Sequence, residues 1–210
     1  SEGDVTNTIV ITEGENFKES NYSITKHEGK LSITKVNAEV IVTIKGHEAT
    51  ATYDGDPHSV EGYEITDISN KLYTKDDVKF TGQAKAEGTE AGTYQMNLTA
   101  QQFSNISQNF TDVEFIVEDG SLTINPKSIV PDGPNTPEEK KTGITVNEPS
   151  DSMYDGQEHK EVLTVKDVKT GKELVSGTEY AVAYSGDLVN AGTVTITVTG
   201  KGNYTGTFTK

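Results

Sequence analysis

Apolar and polar residues alternate along three well-separated segments of the chain. The segments are AEVIVTIKG at 38–46, GTYQMNLTA at 92–100 and GTVTITVTG at 192–200. In each, apolar side chains recur at every second position and many are β-branched or aromatic, which is typical of a strand with one buried face. Helical spacing is scarce, and we expect a turn or two of helix only within residues 68–80. The pattern predicts an all-β chain of small antiparallel domains with little helix, in sandwich-like or partly open sheets or in a β-grasp-like variant.

Three short motifs occur twice each, and they follow one order along the chain. They are YDGDPH at 53–58 and YDGQEH at 154–159, AGTY at 91–94 and AGTV at 191–194, and EGKLSIT at 28–34 and DGSLTIN at 119–125. A fixed order of recurring motifs is the mark of repeated domains. The acid-Gly pairs of the last motif fall between strand-like runs, as hairpin turns do.

The distribution of these motifs predicts the domain organisation. Only residues 36–127 carry all three motifs, so we expect one complete β repeat domain there. Residues 1–35 carry the last motif alone and are predicted to be the C-terminal part of a preceding repeat. Residues 146–210 carry the first two and are predicted to be a second β repeat domain whose last strand is cut off.

Proline marks the boundary between the two predicted domains. Five of the six prolines lie between residues 126 and 149. Proline-rich segments with few apolar residues behave as semi-rigid spacers. We therefore expect an interdomain linker at 128–145.

Composition excludes several classes of partner. The formal net charge is −15, from 33 acidic residues and 18 basic ones, all of which are lysine. Because so acidic a surface repels phosphate groups, we expect no nucleic acid partner. There is no cysteine, which excludes disulfides and thiolate metal sites. No apolar run approaches the ~18 residues of a membrane helix, so we expect no membrane insertion of this segment. The chain opens at SEGDVTNT without Met, and we expect it to be a monomeric piece of a longer protein.

The ordered motifs resemble the MBG repeats of YDG type, which are tandem domains of bacterial surface and adhesin-like proteins. The residues that carry the resemblance most fully are Tyr53, Asp54, Gly55, His58, Gly62, Tyr63, Ala91, Gly92, Thr93, Tyr94, Gly120, Leu122 and Ile124. The C-terminal stretch, with NAGTVTITVTGKGNYTGT, is similar to a related variant of Gram-positive surface proteins. The resemblance implies a bacterial cell-surface or extracellular location.

The Tyr-Asp-Gly motif is interpreted as structural, because a turn is needed once per domain. Asp-Gly supports a tight turn, since glycine accepts positive φ and aspartate caps the local backbone. We expect the rings of Tyr53 and Tyr154 to lie over the sheet with each hydroxyl reaching a partner.

A metal site would be a different role for this motif. Asp54, Asp56 and His58 alternate in an oxygen-rich loop of the kind that can bind calcium. The second copy has Gln157 in place of Asp56, which weakens the calcium hypothesis. The four histidines are dispersed along the chain, which argues against zinc.

Catalysis and carbohydrate binding are two further hypotheses. No nucleophile elbow, zinc-protease motif or phosphate-binding loop occurs, so we expect no enzyme activity, no catalytic residue and no cofactor. Carbohydrate binding uses exposed aromatic rings, and Tyr204 and Phe103 lie in polar contexts that suggest exposure. A Lys–Asn isopeptide staple is also a hypothesis, and it needs a buried acid nearby.

The repeats, the acidic composition and the lack of a catalytic motif favour a non-catalytic spacer module, which presents a distal domain and contacts neighbouring repeats of the same chain. The resemblance implies that the parent is a secreted or cell-wall-anchored bacterial surface protein. Two other hypotheses stay open. In the first, the chain is an adhesin module that binds a host glycan or an extracellular protein. In the second, it is an accessory region of a surface enzyme.

Overall fold

The computed structural model describes residues 3–210, and the side chains of residues 6–210. Strands and single-turn 3-10 helices are the regular elements of this part of the chain. The strands are β1 (Gly3–Asn7), β2 (Gly29–Ile33), β3 (Val40–Gly46), β4 (Glu48–Thr52), β5 (His58–Glu61), β6 (Tyr63–Ile68), β7 (Val78–Phe80), β8 (Lys85–Gly88), β9 (Gly92–Gln95), β10 (Phe103–Asn105), β11 (Val113–Glu118), β12 (Ser121–Asn125), β13 (Lys127–Ser128), β14 (Ile144–Val146), β15 (Val165–Asp167), β16 (Lys172–Glu173), β17 (Tyr180–Ser185), β18 (Thr195–Gly200), β19 (Tyr204–Thr205) and β20 (Thr207–Thr209). The 3-10 turns are Glu19–Asn21, Lys75–Asp77, Ala100–Gln102 and Glu138–Lys140.

The predicted all-β class with little helix is confirmed. The helical turn expected within residues 68–80 is the 3-10 turn Lys75–Asp77, in which the Asp77 side chain accepts from the Thr74 N–H. Across residues 3–210 no helix has the length and apolarity needed to cross a membrane.

The chain divides into two compact units, each with its own core. Unit 1 consists of the chain up to Lys45, Glu64–Gly82 and Leu98–Glu118, and it contains the sheets β1-β2, β11-β3-β6 and β10-β7. Along β3 every second side chain from Val40 to Ile44 is fully buried, as the alternation predicts. Aromatic rings complete this core: Phe103 lies 4.9 Å from Phe80 between ring centroids.

Unit 2 consists of Gly46–Tyr63, Gln83–Asn97 and Asp119–Lys210. Its sheets are β4-β12-β9, β5-β8, β13-β19, β14-β15-β16 and β17-β18-β20. Buried aliphatic side chains from its strands and their flanks include Leu122, Ile124, Ile129, Ile144, Leu163, Val165, Leu174, Ile196 and Val198. This unit carries both Tyr-Asp-Gly motifs.

Several strand pairs are parallel, which alternation could not predict because it is the same in both directions. β11 is parallel to β3, β12 to β4, and β13 to β19. The Asp119-Gly120 pair therefore does not form the hairpin turn suggested by the sequence. It joins β11 to β12, and these two strands pair with β3 and β4 rather than with each other. A side chain at Gly120 would bring its Cβ within 2.5 Å of the His47 carbonyl oxygen, so only glycine fits there.

The proline-rich stretch 128–145 lies within unit 2 and makes ordered contacts there. Ile129 is fully buried, and its N–H donates to the Thr205 carbonyl at 2.8 Å. Further along, the Asp132 carboxylate accepts from the Thr142 N–H at 2.8 Å and the Gly143 N–H at 2.7 Å. Burial acts to raise the pKa of Asp132, but these donors outweigh it and lower that pKa. The predicted boundaries of the linker and of the domains on either side stay a prediction.

The predicted part-repeat at 1–35 contains the antiparallel pair β1-β2, with Asn7 opposite Gly29. Residues 1 and 2 lie outside the described part of the chain. The side chains of β2 are exposed throughout.

Candidate functional site

The first Tyr-Asp-Gly motif forms a turn that is closed by its own side chains. Gly55 has φ +86°, which favours glycine. The Asp54 Oδ1 accepts from the Asp56 N–H at 3.1 Å and pairs with His58 Nε2 at 2.9 Å. The hydrogen bond from His58, followed by that from Asp56, lowers the pKa of Asp54. The aspartate and the histidine of the motif therefore stabilise each other and the turn between them.

The second motif repeats this geometry. Gly156 has φ +79°. The Asp155 Oδ1 accepts from the Gln157 N–H at 2.8 Å and pairs with His159 Nε2 at 2.9 Å. The Gln157 N–H, more than the His159 hydrogen bond, lowers the pKa of Asp155. Asp56 in the first copy and Gln157 in the second contribute only their main-chain N–H to the turn. Either side chain is therefore compatible with it.

The two tyrosines of the motif differ in their surroundings. Tyr53 is only 6% exposed, and its ring meets that of Tyr204 edge-on with the centroids 5.5 Å apart. Burial, then the charge of Glu90, raises the pKa of Tyr53. Tyr154 is 68% exposed. A packed ring, as expected, is therefore found for Tyr53, whereas the expectation is wrong for Tyr154, whose ring is mostly exposed to solvent.

A polar contact surrounds the Tyr53–Tyr204 ring pair, and we call it the Asn203 junction. Asn203 Oδ1 accepts from the Ala91 N–H at 2.7 Å, and Asn203 Nδ2 donates to the Glu90 carboxylate. In addition, Lys169 Nζ lies 3.6 Å from Oδ2 of Asp54, the residue that follows Tyr53. The junction thus joins the Tyr-Asp-Gly and Ala-Gly-Thr loops of the first copy to the Gly-Asn-Tyr loop of the second, all within unit 2.

Beneath Tyr204 lies a buried ion pair. Lys127 is 5% exposed and Asp167 is fully buried, and Lys127 Nζ lies 2.6 and 2.7 Å from the two Asp167 oxygens. The Tyr204 hydroxyl donates to Asp167 Oδ2 at 3.2 Å. Burial, followed by the charge of Asp167, raises the pKa of Tyr204. The cluster is shielded from solvent, so it is placed to stabilise the fold rather than to meet a substrate.

Sequence reasoning missed this cluster. Lys127 follows a strand and a proline, and nothing in that local context marks it as buried. The Lys–Asn staple stays an untested hypothesis, but the structure places the buried lysine against an aspartate.

The expected exposure of Tyr204 and Phe103 is wrong. Tyr204 is 2% exposed because it packs on Tyr53 and Asp167. Phe103 is also buried, between Phe80 and Phe115. Neither ring is accessible as a platform for a sugar, since carbohydrate contact requires an open ring face.

Asp54, Asp56 and His58, which were considered as metal ligands, do not form a metal-binding site. Among residues 3–210 no group of three or more His, Asp or Glu side chains is arranged to hold a metal ion. In the first copy Asp54 Oδ1 is already occupied by the turn, and His58 faces it. His47 bonds instead to the Glu61 carbonyl at 2.8 Å.

Comparison with known families identifies part of the chain. Residues 40–126 match the family model of the MBG domain. No curated protein and no solved structure shows significant similarity to the chain. The matched segment includes the first Tyr-Asp-Gly turn, the Ala-Gly-Thr loop and β12, which carry the resemblance noted in the sequence. MBG domains are a non-catalytic type of module and occur in surface proteins. The resemblance to MBG domains is therefore confirmed for residues 40–126.

Proposed function

We propose that this chain is a non-catalytic spacer module of a secreted or cell-wall-anchored bacterial surface protein, which presents a distal domain away from the cell. The MBG match supports a surface-protein module. The spacer role is our inference from the chemistry of the repeated motif and of the Asn203 junction.

The observation that carries the proposal is that both Tyr-Asp-Gly turns use their aspartate and histidine side chains internally. In each copy one oxygen of the aspartate carboxylate accepts a hydrogen bond from the main-chain N–H two residues later. The same oxygen pairs with the histidine four residues later. A ligand-binding motif needs such groups aimed outward. A motif that only builds turns is what a repeated structural module requires.

The Asn203 junction adds a second reason. It combines an edge-on ring pair with hydrogen bonds from main chain and side chain. Flexible linkers rely on solvated Gly and Ser residues, whereas this contact resists bending between the segments it joins. A module that holds a distal domain away from the cell needs this resistance to bending.

The test is a display experiment. The chain is placed between a cell-wall anchor and a reporter domain on a bacterial surface, and capture of the cells by beads coated with the reporter's ligand is measured. We expect more capture than with a Gly/Ser linker of the same number of residues, because a flexible chain spans only about 5–6 Å × √n. Equal capture by the two would contradict the spacer role.

A glycan and extracellular-matrix array of the purified chain tests the adhesin hypothesis. A Tyr154→Ser variant is the matched control, because this ring is the exposed copy of the motif tyrosine. Saturable binding that the variant loses would replace the spacer role with an adhesin role. Absence of binding, by a sample that melts cooperatively, supports the spacer.

A further inference from the structure

The first Tyr-Asp-Gly turn contains a peptide bond of a kind that occurs once in the chain. Of the six prolines only Pro57 follows an aspartate, Asp56. Both residues are exposed and lie between β4 and β5. The second copy has Gln157 and Glu158 at these positions, yet its turn is closed by the same hydrogen bonds. The Asp-Pro pair is therefore not required to build the turn.

The side chain of Asp56 is free to rotate. Its main-chain N–H donates to Asp54 Oδ1 at 3.1 Å, but no group within residues 6–210 forms a hydrogen bond or an ion pair with its carboxylate. A free aspartate carboxylate can bring one oxygen against the carbonyl carbon of its own residue and close a five-membered ring. An attacking group that is attached so close to its target has a high effective concentration.

The nitrogen on the other side of this bond is a good leaving group once it gains a proton. The bond to Pro57 is a tertiary amide, and its nitrogen leaves as a secondary amine. His58 directly follows, and histidine is the side chain that exchanges protons in neutral and mildly acidic solution. Its Nε2 lies 2.9 Å from Asp54 Oδ1, which keeps the imidazole at the turn. Lys169 is a further charged group there, with its Nζ 3.6 Å from Asp54 Oδ2.

We propose that the Asp56–Pro57 bond is a self-cleavage site, with His58 as the proton source. An oxygen of the Asp56 carboxylate attacks the main-chain carbonyl carbon of Asp56, the C–N bond to Pro57 breaks, and the Pro57 nitrogen leaves with a proton. Water then opens the cyclic anhydride at Asp56 and leaves two carboxyl groups there. The net reaction adds one water molecule across the peptide bond. The site is independent of the spacer role, since it concerns one bond in one turn.

The strands on both sides of the bond would hold the two fragments together. β4, which precedes the bond, pairs with β12, and the Tyr53 N–H donates to the Asn125 carbonyl at 2.9 Å. β5, which follows the bond, pairs with β8. In unit 1, β3 of the first fragment pairs with β11 of the second. Cleavage therefore leaves a nicked module that separates only when it unfolds.

The first test is the mass of the chain after incubation in a mildly acidic buffer. Samples are taken over several days, denatured and measured by mass spectrometry. We expect two fragments, residues 1–56 and 57–210, whose masses add up to the intact chain plus one water. We expect no cut at Glu148–Pro149, where glutamate precedes proline and the ring would need six atoms. A chain that stays whole, or a first cut elsewhere, overturns the proposal.

A conservative variant tests the ring closure. Asp56→Glu keeps the carboxylate and the main-chain N–H, and Gln157 shows that the turn accepts a side chain of this length. We expect the cut to slow about tenfold or more, because the carboxylate must close a larger ring. The exposed Ser59→Ala is the control and should cut at the native rate. Equal rates in the native chain and Asp56→Glu overturn the proposal.

A peptide distinguishes a site built by the fold from an ordinary labile bond. The peptide ATYDGDPHSV, residues 51–60, has the same bond without the folded turn. We expect the folded chain to be cut about tenfold or more faster, because the turn keeps the imidazole of His58 beside the leaving nitrogen. Equal rates would show that the bond is only labile and would overturn the proposal. A rate per molecule that falls on dilution indicates a contaminating protease and also overturns it.

The role of His58 has its own readout, which is the pH profile of the cleavage rate. In His58→Gln the rise of the rate between neutral and mildly acidic buffer should be smaller than in the native chain, because the proton source at the turn is lost. The same profile in both would exclude His58 from the reaction.

Size-exclusion chromatography tests the nicked state. The two fragments should elute together in native buffer and apart in urea. Fragments that separate in native buffer contradict the expected pairing across the cut.

Discussion

The buried ion pair offers the sharpest test of what stabilises unit 2. In the variant Lys127→Met the ammonium group is lost, while the fully buried Asp167 carboxylate remains. Three neutral donors still reach it, namely the Tyr204 hydroxyl at 3.2 Å and the N–H groups of Lys169 at 3.0 Å and Thr170 at 3.3 Å. They compensate in part for the lost cation, whose Nζ lies 2.6 Å from one carboxylate oxygen.

The expected loss of stability depends on how much of the charge of Asp167 the three neutral donors leave uncompensated. Removing one partner of a buried ion pair costs about 3–5 kcal/mol, and the remaining donors place this variant near the lower end. Unfolding in urea is followed by tyrosine fluorescence, since the chain has nine tyrosines and no tryptophan. We expect a decrease of about 3 kcal/mol in the free energy of unfolding.

An exposed pair on the same strand provides the control. Lys166 Nζ lies 3.4 Å from Glu173 Oε2, and both side chains are more than half exposed. Exposed pairs contribute only about 0–1 kcal/mol, so Lys166→Met should change the stability little. In the double variant Lys127→Met/Asp167→Asn the isolated buried charge is removed, and we expect it to be more stable than Lys127→Met alone. The reasoning is refuted if Lys127→Met costs no more than Lys166→Met.

Three further predictions concern the turns and the glycine between β11 and β12. Gly120→Ala should lower the free energy of unfolding in urea by about 1–3 kcal/mol or more, because its Cβ would lie 2.5 Å from a carbonyl oxygen. Gly29→Ala, whose Cβ would meet no atom within 4 Å, should leave the stability nearly unchanged. Equal effects of the two variants would contradict the steric argument. Tyr53→Ala should lower the free energy of unfolding by about 3–5 kcal/mol, seen as a clear drop in the thermal midpoint. Tyr154→Ala should change the free energy of unfolding by less than about 0.5 kcal/mol, because its ring is exposed. Comparable losses in the two variants would show that exposure does not separate the two copies. The pKa of Asp54 is lower in the folded chain, so its stabilising effect is present above the unfolded pKa and is lost as pH falls through the folded pKa; the stability difference between the native chain and Asp54→Ser should therefore shrink in acid, as measured by urea unfolding across pH, and a constant difference would exclude this linkage.

Local sequence was sufficient for the turns. Asp-Gly followed by His three residues later predicts a tight turn, and the structure builds that turn twice with the same hydrogen bonds. Only neighbouring residues take part, so the outcome does not depend on the rest of the fold. The alternation along β3 was equally sufficient, because a strand with one buried face dictates its own side-chain period.

Local sequence was misleading where burial arises from distant parts of the chain. Tyr204 lies among Gly, Asn and Thr residues, which suggested exposure. Its ring is covered by Tyr53, about 150 residues earlier, and its hydroxyl meets Asp167. No window of neighbouring residues contains either contact, so no local pattern predicts them.

The chain's all-β class and its repeated turns follow from patterns among residues close together in sequence, and the amino-acid sequence alone determines them. The parallel pairing of β12 with β4 and the buried Lys127–Asp167 pair belong to the tertiary structure. The physical reason is that strand direction and the desolvation of a charge each depend on which distant segments meet. Alternation specifies that a face is buried, but only the folded chain decides what buries it.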